Sequence, residues 1–268
     1  MSLLLFAAAV LALGLMAVAF LIARRIGNFS IVDIAWSFNF TPLALTFALL
    51  GSGVPLRRVL VAGMVALWSL RLTVHLARRI AALHPVEEGR YLELRRLWSD
   101  DVNGRFFRFF MLQGLLNAGL STPFMFACLN PSPAPHPVEI IGLLVFALSL
   151  TGEAVADAQL DAFKKEASNR GKVCGAGLWR YSRHPNYFFE WLVWCGYALV
   201  ATPVPFGWVS WACPALMLYF LLRVTGIPAT EAQTVRSRGE AYLEYQRTTS
   251  AFVPWFPRPA ARNTVTIK

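Results

Sequence analysis

Apolar positions along this chain form seven long, nearly uninterrupted runs rather than the alternating faces of a soluble domain. They cover residues 3–23, 31–50, 59–76, 106–129, 138–160, 187–201 and 207–224. Most of these runs approach the roughly 20 residues that an α-helix needs to cross a hydrocarbon core of about 30 Å. The pattern therefore predicts an all-α integral membrane protein, built as a bundle of seven transmembrane helices.

Composition and charge agree with a membrane location. Of the 268 residues, 56% are hydrophobic and 15% are charged, which lies outside the range of ordinary soluble domains. Arg57 and Arg58 occupy the second connection, whereas the other 23 of the 25 Lys and Arg residues lie at or near the first, third, fifth and C-terminal connections. By the positive-inside rule, this distribution predicts an N-terminus outside and a cytoplasmic C-terminus.

The net charge of +10 narrows the expected partners. Because the basic residues belong mostly to one face of a membrane protein, they require no nucleic acid, and membrane lipid or an anionic ligand is the expected partner. The length leaves no room for a separate soluble catalytic domain, so we expect one membrane domain over residues 1–268. The four cysteines lack the spacing of a metal site, and no metal is predicted.

Three acids recur at helical spacing in the fifth run. Glu153, Asp157 and Asp161 stand four residues apart, and Lys164 follows three residues later, so all four share one face of a helix. Glu153 and Asp157 lie at least one turn inside the apolar run, where an ionisable group marks a polar cavity. Asp161 and Lys164 fit equally well a helix that emerges into water.

A second polar cluster lies at the entrance of the sixth run, where residues 177–190 read Gly-Leu-Trp-Arg-Tyr-Ser-Arg-His-Pro-Asn-Tyr-Phe-Phe-Glu. Pro185 suits the first turn of a helix, and Arg183 and His184 precede it at the end where unpaired N–H groups favour a phosphate. Asn186 and the acid four residues later can hydrogen-bond an amide or a ribose hydroxyl. A snorkelling interfacial anchor is the alternative for the Arg, Tyr and Trp residues of this block.

Together these motifs resemble the steroid 5α-reductase family, in its bacterial branch of seven-helix membrane proteins. The resemblance rests on Glu153 and Asp157, on the block 177–190, and on Tyr245 followed by Pro254-Trp255. It implies an oxidoreductase of steroid or lipid metabolism that uses NADPH to reduce a double bond conjugated to a ketone, as in a 3-oxo-Δ4 steroid. The nucleotide would lie within the bundle, open to the cytosol of a bacterium, and the lipophilic substrate would enter from the inner membrane.

The resemblance also implies a division of labour along the chain. Four N-terminal helices, over about 3–129, are expected to shape the substrate pocket, and three C-terminal helices with their loops and tail, over about 138–258, to form the NADPH site. Positions that match the family's NADPH site are Glu153, Asp157, Lys164, Asn186, Glu190 and Tyr245. Candidates chosen by charge and position for the phosphates are Arg170, Lys172, Arg180, Arg183, His184, Arg236 and Arg238. The chain has no G-x-G-x-x-G motif, so a Rossmann domain is not expected.

Reduction of an enone also needs a group that meets the negative charge on the carbonyl oxygen. Asp33, just inside the second run, is the catalytic candidate, because a carboxylic acid kept protonated in an apolar site can donate a proton. The family has a glutamine–glutamate pair near this place, and that pair is absent here. The alternative for Asp33 is a helix-start acid that interacts with Arg24 or Arg25. The substrate-binding candidates are Trp36, Phe38 and Trp68.

Two other functions stay open at the level of sequence. The His-Pro-x-Tyr element that begins at His184 is shared with isoprenylcysteine carboxyl methyltransferases and related membrane methyltransferases, which bind S-adenosylmethionine. A proton-coupled transporter is the second alternative, in which Glu153, Asp157 and Glu190 carry protons or cations.

Overall fold

The structure is a computed structural model that describes residues 1–259, so the last nine residues of the predicted domain 1–268 lie outside the described residues. The described chain is all-helical and forms no β-strand. Its α-helices are α1 (Ser2–Ile26), α2 (Ile31–Leu50), α3 (Pro55–Leu83), α4 (Gly89–Leu97), α5 (Val102–Leu120), α6 (Thr122–Leu129), α7 (Pro137–Lys165), α8 (Pro185–Ala201), α9 (Ala212–Tyr219), α10 (Ile227–Arg238) and α11 (Glu240–Thr248).

Six helical segments within residues 1–259 are long and apolar enough to cross a membrane. They are Ser2–Ile26, Ile31–Leu50, Pro55–Leu83, Val102–Leu129, Pro137–Lys165 and Gly207–Arg238. The prediction of an all-α protein with apolar helices long enough to span a membrane is therefore confirmed, whereas the count of seven is not. The predicted sixth run falls in α8, which has 17 residues and is shorter than the other candidates.

Helix ends follow local backbone chemistry more closely than hydropathy. α1 ends at Gly27, whose φ of 75° is the left-handed conformation that glycine adopts without strain. α3 begins at Pro55, which suits a first turn, and continues seven residues past the predicted end at 76. The apolar run ends at residue 76 because polar side chains follow it, but the backbone hydrogen bonds of α3 continue through Leu83.

The chain forms two compact units. The N-terminal unit comprises Met1–His136 and Ala201–Ser210, and the C-terminal unit comprises Pro137–Val200 and residues 211–259. We describe each unit separately.

An aromatic cluster and a set of hydroxyls hold the N-terminal unit together. Phe29 stacks on Phe106 with ring centroids 4.0 Å apart, and Phe20 and Phe110 complete this buried group. Between α2 and α3, the Thr41 hydroxyl donates to Ser69 Oγ at 2.9 Å, and the Ser37 and Thr73 hydroxyls lie 3.0 Å apart. Such interhelical hydroxyl contacts are a usual means of joining helices in a membrane, where burial of apolar surface gives little attraction.

Candidate functional site

Two glycines bring α7 and α8 close together in the C-terminal unit. A Cβ atom at Gly142 would lie 2.9 Å from the carbonyl oxygen of Gly196, so only hydrogen fits there. Nearer the other end of α7, Gly152 faces the ring of Phe189. Gly142 of α7 contacts Gly196 of α8, whereas Gly152, later in α7, contacts Phe189, earlier in α8. The two helices therefore run antiparallel, and this alignment places Glu153 at the level of Glu190.

The register continues to a hydrogen bond between two candidate residues. The Asn186 side-chain amide donates to Asp157 Oδ1 at 3.2 Å, and the backbone N–H of Tyr187 donates to Asn186 Oδ1 at 3.0 Å. Both ends of the Asn186 amide are thus engaged, which fixes its orientation at the start of α8. The structure therefore brings together two residues that are 29 positions apart in the sequence.

Three carboxylates are buried along this helix pair. Glu153 is 3% exposed, and Asp157 and Glu190 are each 8% exposed. The indole N–H of Trp194 donates to Glu190 Oε1 at 3.1 Å, and Glu153 and Glu190 both act electrostatically on the buried Tyr197. Buried acids in apolar helices are costly, so this arrangement is characteristic of a polar site rather than of packing.

The segment before α8 is fastened by Glu231 of α10. Arg183 Nε donates to Glu231 Oε1 at 2.7 Å, and His184 Nε2 lies 3.1 Å from the same oxygen. Gln246 donates to Glu231 Oε2 at 2.7 Å, and Arg183 also donates to the carbonyl oxygens of Gln246 and Thr249. The guanidinium of Arg183, a phosphate candidate from the sequence, is thus engaged with a carboxylate and two carbonyls of its own chain.

Glu231 was not among the sequence candidates. It lies 47 residues from His184, and neither helical periodicity nor spacing connects the two positions. The available signal was an acidic residue near the start of a polar helix, which is common on any surface.

Tyr245 of α11 binds the backbone of the same segment before α8. Its hydroxyl donates to the carbonyl oxygen of Trp179 and, at 3.2 Å, to that of Ser182. Burial raises the pKa of Tyr245, so the phenol stays protonated at neutral pH and acts as a donor. Tyr245 was predicted to bind the cofactor; in the structure its hydroxyl donates hydrogen bonds to the backbone that precedes α8.

The basic candidates divide into two groups. Arg238 and Lys164 lie near Cys174, where their charges oppose the rise in the pKa of the thiol that burial causes. The others, exposed on the surface, are Arg170, Lys172, Arg180 and Arg236. The structure therefore brings Lys164, predicted to line the NADPH site, and Arg238, a predicted phosphate-binding residue, to one neighbourhood in the C-terminal unit. Lys164 is itself exposed, like the four arginine and lysine residues of the second group.

In the N-terminal unit, Asp33 pairs with a tyrosine that the sequence did not indicate as its partner. The Tyr91 hydroxyl donates to Asp33 Oδ1 at 2.6 Å across 58 positions of sequence. The connection before α4 is fastened beside this pair, since Glu88 N–H donates to Ser30 Oγ and Arg95 forms an ion pair with Glu87. Burial raises the pKa of Tyr91 well above its usual value, so its hydroxyl remains protonated at neutral pH.

The three predicted substrate-binding aromatics occupy different environments. Trp68 is fully buried and packs against Phe40, with ring centroids 5.4 Å apart. Trp36 is partly buried and meets the edge of the same Phe40 ring at 5.0 Å. Phe38 is 43% exposed and projects from the opposite side of α2. Trp36 and Trp68 thus share a neighbour, and Phe38 does not join them.

Comparison with known proteins identifies a family but no established activity. A "Probable O-methyltransferase ustE" of Ustilaginoidea virens is 32% identical over 114 residues, which cover 38% of this chain and 40% of that protein. An "Uncharacterized protein C594.04c" of Schizosaccharomyces pombe is 26% identical over 208 residues, 69% of this chain and 60% of that protein. The chain thus spans less than two thirds of the length of either relative.

No solved structure gives a significant match. A family model described as "Protein of unknown function (DUF1295)" matches residues 19–249, which is most of the chain. The fold and the polar site described above are accordingly those of a member of the DUF1295 family, to which this chain belongs.

Proposed function

We propose that this protein is a membrane enzyme that uses NADPH to reduce the double bond of a flat, lipophilic enone, such as a 3-oxo-Δ4 steroid. The observation that carries the proposal is the hydrogen bond from Asn186 to Asp157, with Glu153 and Glu190 buried one turn deeper in the same helices. Polar groups placed so deeply in apolar helices commonly serve a ligand.

The hydrogen-bonding groups and charges of these residues are complementary to those of NADPH. Carboxylates are hydrogen-bond acceptors, and the ribose hydroxyls and carboxamide of a nicotinamide nucleotide offer O–H and N–H donors. The positive charges of Lys164 and Arg238 suit its phosphates. We assign the remaining basic candidates of the C-terminal unit, Arg170, Lys172, Arg180 and Arg236, to the approach of the polyanion, because their exposed charges raise its local concentration.

Asp33 is proposed to act on the substrate carbonyl. NADPH, when bound, supplies the hydride that adds to the β-carbon, so negative charge develops on the carbonyl oxygen. Asp33 gives this oxygen a proton from Oδ2, while Oδ1 accepts the hydrogen bond from Tyr91. Tyr91 holds the carboxyl in a single orientation and is its positioning partner.

The membrane arrangement belongs to the same proposal. In this arrangement α8 also crosses the membrane, which makes seven crossings in all. The N-terminus lies outside and the C-terminus in the cytosol, as the distribution of Lys and Arg favours. The cofactor site then opens to the cytosol, and the lipophilic substrate enters from the bilayer of a bacterial inner membrane. A cytosolic opening suits NADPH, since the nucleotide is soluble and does not cross the membrane.

Binding of NADPH to the purified full-length protein in detergent is the direct test. We expect tight binding in the wild type and its loss in Asn186→Ala and Glu190→Ala, because each change removes a side chain that the proposal assigns to the nucleotide. Asn103→Ala and Glu93→Ala alter exposed residues of the same types and serve as matched controls. Retained affinity in both site variants, or no NADPH oxidation across a broad panel of enones, would overturn the proposal.

A second candidate is an S-adenosylmethionine-dependent methyltransferase. It is favoured by the name of the Ustilaginoidea virens relative and by the His-Pro-x-Tyr element at His184. The buried carboxylates could equally accept hydrogen bonds from the ammonium and ribose hydroxyls of that cofactor. Binding of S-adenosylmethionine without binding of NADPH, lost in Glu190→Ala, would select this activity over the reductase.

A further inference from the structure

A polar cleft of about 460 Å³ opens in the C-terminal unit, between the end of α11 and the chain that follows it. Its lining contains the basic residues Arg183, Arg247 and Arg258 and the hydroxyl-bearing residues Thr248, Thr249 and Ser250. The Thr248 hydroxyl donates to the Glu244 carbonyl oxygen of its own helix at 3.1 Å. Within residues 1–259, the lining includes no Asp or Glu. The cleft therefore offers donors and positive charge, which is the complement of an anion.

Two of these arginines can serve a ligand. Arg247 pairs with Glu240 and Glu244, but its side chain is 61% exposed and its partners are 72% and 44% exposed. Ion pairs so open to solvent contribute little, so exchange of a carboxylate for a phosphate costs little. The exposed Arg258 is held at the cleft because its backbone N–H donates to the Thr248 carbonyl at 2.8 Å.

The rim of the cleft is apolar and faces outward. Val253, Trp255 and Phe256 are 52%, 71% and 77% exposed. The backbone N–H of Trp255 donates to the Tyr181 carbonyl at 2.9 Å, and the Phe256 ring meets the edge of the Tyr181 ring. These large side chains are thus presented by a fixed backbone, and Trp beside Arg is the composition of a membrane–water interface.

We infer that this cleft binds the headgroup of an anionic phospholipid. Its phosphate lies against Arg247 and Arg258, and its acyl chains run along Trp255 and Phe256. The bilayer around the spanning helices supplies such lipids, and the arginines of the lining favour an anionic headgroup over a zwitterionic one. The inference is independent of the proposed reaction, since neither Arg258 nor Trp255 was assigned to the cofactor or the substrate.

Affinity for short-chain phospholipids tests this site. With the purified full-length protein in detergent, we expect dioctanoyl-phosphatidylglycerol to bind more tightly than dioctanoyl-phosphatidylcholine. Arg258→Gln should raise the dissociation constant for the anionic lipid about fivefold, the usual contribution of one basic residue near an anionic surface. Trp255→Ala should weaken binding of the same lipid, since it removes the apolar rim.

Matched controls and competitors separate the possible sources of phosphate. Arg108→Gln and Trp208→Ala alter exposed residues of the N-terminal unit and should leave lipid binding unchanged. Equal affinity for the two lipids, or an unchanged constant in Arg258→Gln, would refute the inference. So would displacement of the lipid by inorganic phosphate or by adenosine 2′,5′-bisphosphate, because the cleft would then be a soluble-anion or nucleotide site. NADPH affinity, unchanged in Arg258→Gln, keeps this result distinct from that of the proposed reaction.

Discussion

Arg183 lies 2.7 Å from Glu231 in an ion pair whose two side chains are only 10% and 15% exposed. The pair joins the segment before α8 to α10, and His184 and Gln246 share the same carboxylate. One acidic residue thereby fixes the arginine and histidine that the sequence indicates as phosphate-binding candidates. Replacing this acid should therefore lower the stability of the C-terminal unit.

Replacing Glu231 with Gln should destabilise the protein by about 2–4 kcal/mol, because it leaves the poorly solvated Arg183 without its counter-charge. Thermal unfolding in detergent micelles measures the change. Glu244→Gln removes an acid of the exposed pair with Arg247 and should cost less than about 1 kcal/mol. Equal effects of the two substitutions would show that Glu231 does not fasten this segment.

Replacing Gly142 with Ala should force α7 and α8 apart. The added methyl group would lie 2.9 Å from the Gly196 carbonyl oxygen and 2.8 Å from the Val200 side chain. Such overpacking costs about 1–3 kcal/mol, measurable as a fall in the unfolding midpoint. Gly63→Ala in α3 is the control, since no heavy atom lies within 4 Å of its added Cβ, and it should leave stability equal or raised by up to about 1 kcal/mol.

Asp33 and Tyr91 should affect the rate of enone reduction unequally. If Asp33 donates the proton, Asp33→Asn lowers kcat by about 100-fold or more, within the range for loss of a general acid. Tyr91→Phe removes only the orienting hydrogen bond, so we expect a fall of about tenfold with KM unchanged. Tyr219→Phe alters an exposed phenol and should keep the wild-type rate. A fully active Asp33→Asn variant would exclude the assignment.

Stability should fall steeply in alkali because of buried tyrosines outside the spanning segments. Burial raises the pKa of Tyr91, Tyr242 and Tyr245 in the folded protein above the value of about 10 that they have when unfolded. The contribution of these phenols to the free energy of unfolding is complete below pH 10. It is lost as the pH rises above 10, because the phenols ionise in the unfolded chain before they ionise in the folded protein. Each tyrosine then costs about 1.4 kcal/mol per pH unit.

The unfolding midpoint measured between pH 8 and pH 11 tests this dependence. Tyr242→Phe and Tyr245→Phe should each flatten the fall above pH 10, because each removes one phenol that ionises only in the unfolded chain. A slope unchanged from the wild type in both variants would contradict the linkage.

Local patterns predicted the helices well where apolar runs and helix bounds coincide. α2 spans the predicted Ile31–Leu50, since its ends are also the ends of its apolar run. The third and fifth runs underestimate α3 and α7, because both helices extend as polar turns beyond the apolar stretch. Hydropathy reports the surroundings of a helix, whereas backbone hydrogen bonds determine its length.

Tertiary partners were beyond what spacing could predict. The sequence indicated that Glu153 and Asp157 share a face, which is a local property of one helix, and the structure adds Asn186 as the partner of Asp157. It could not indicate Tyr91 beside Asp33 or Glu231 beside Arg183, because these contacts depend on the path of the chain over 48 residues or more. The sequence thus named both members of the Asp157–Asn186 pair without linking them, and only Asp33 and Arg183 of the other two pairs.

The hydrogen bonds between the segment before α8 and the chain after α11 also determine when this segment can complete its folding during translation. Ser182 donates to the carbonyl oxygen of Phe252, which is made 70 residues later. At a synthesis rate of about 5–20 residues per second, the wait is roughly 4–14 s. Until Phe252 has been made, the segment before α8 lacks this bond to the tail, and in that interval a chaperone or a protease would meet the C-terminal unit incompletely folded.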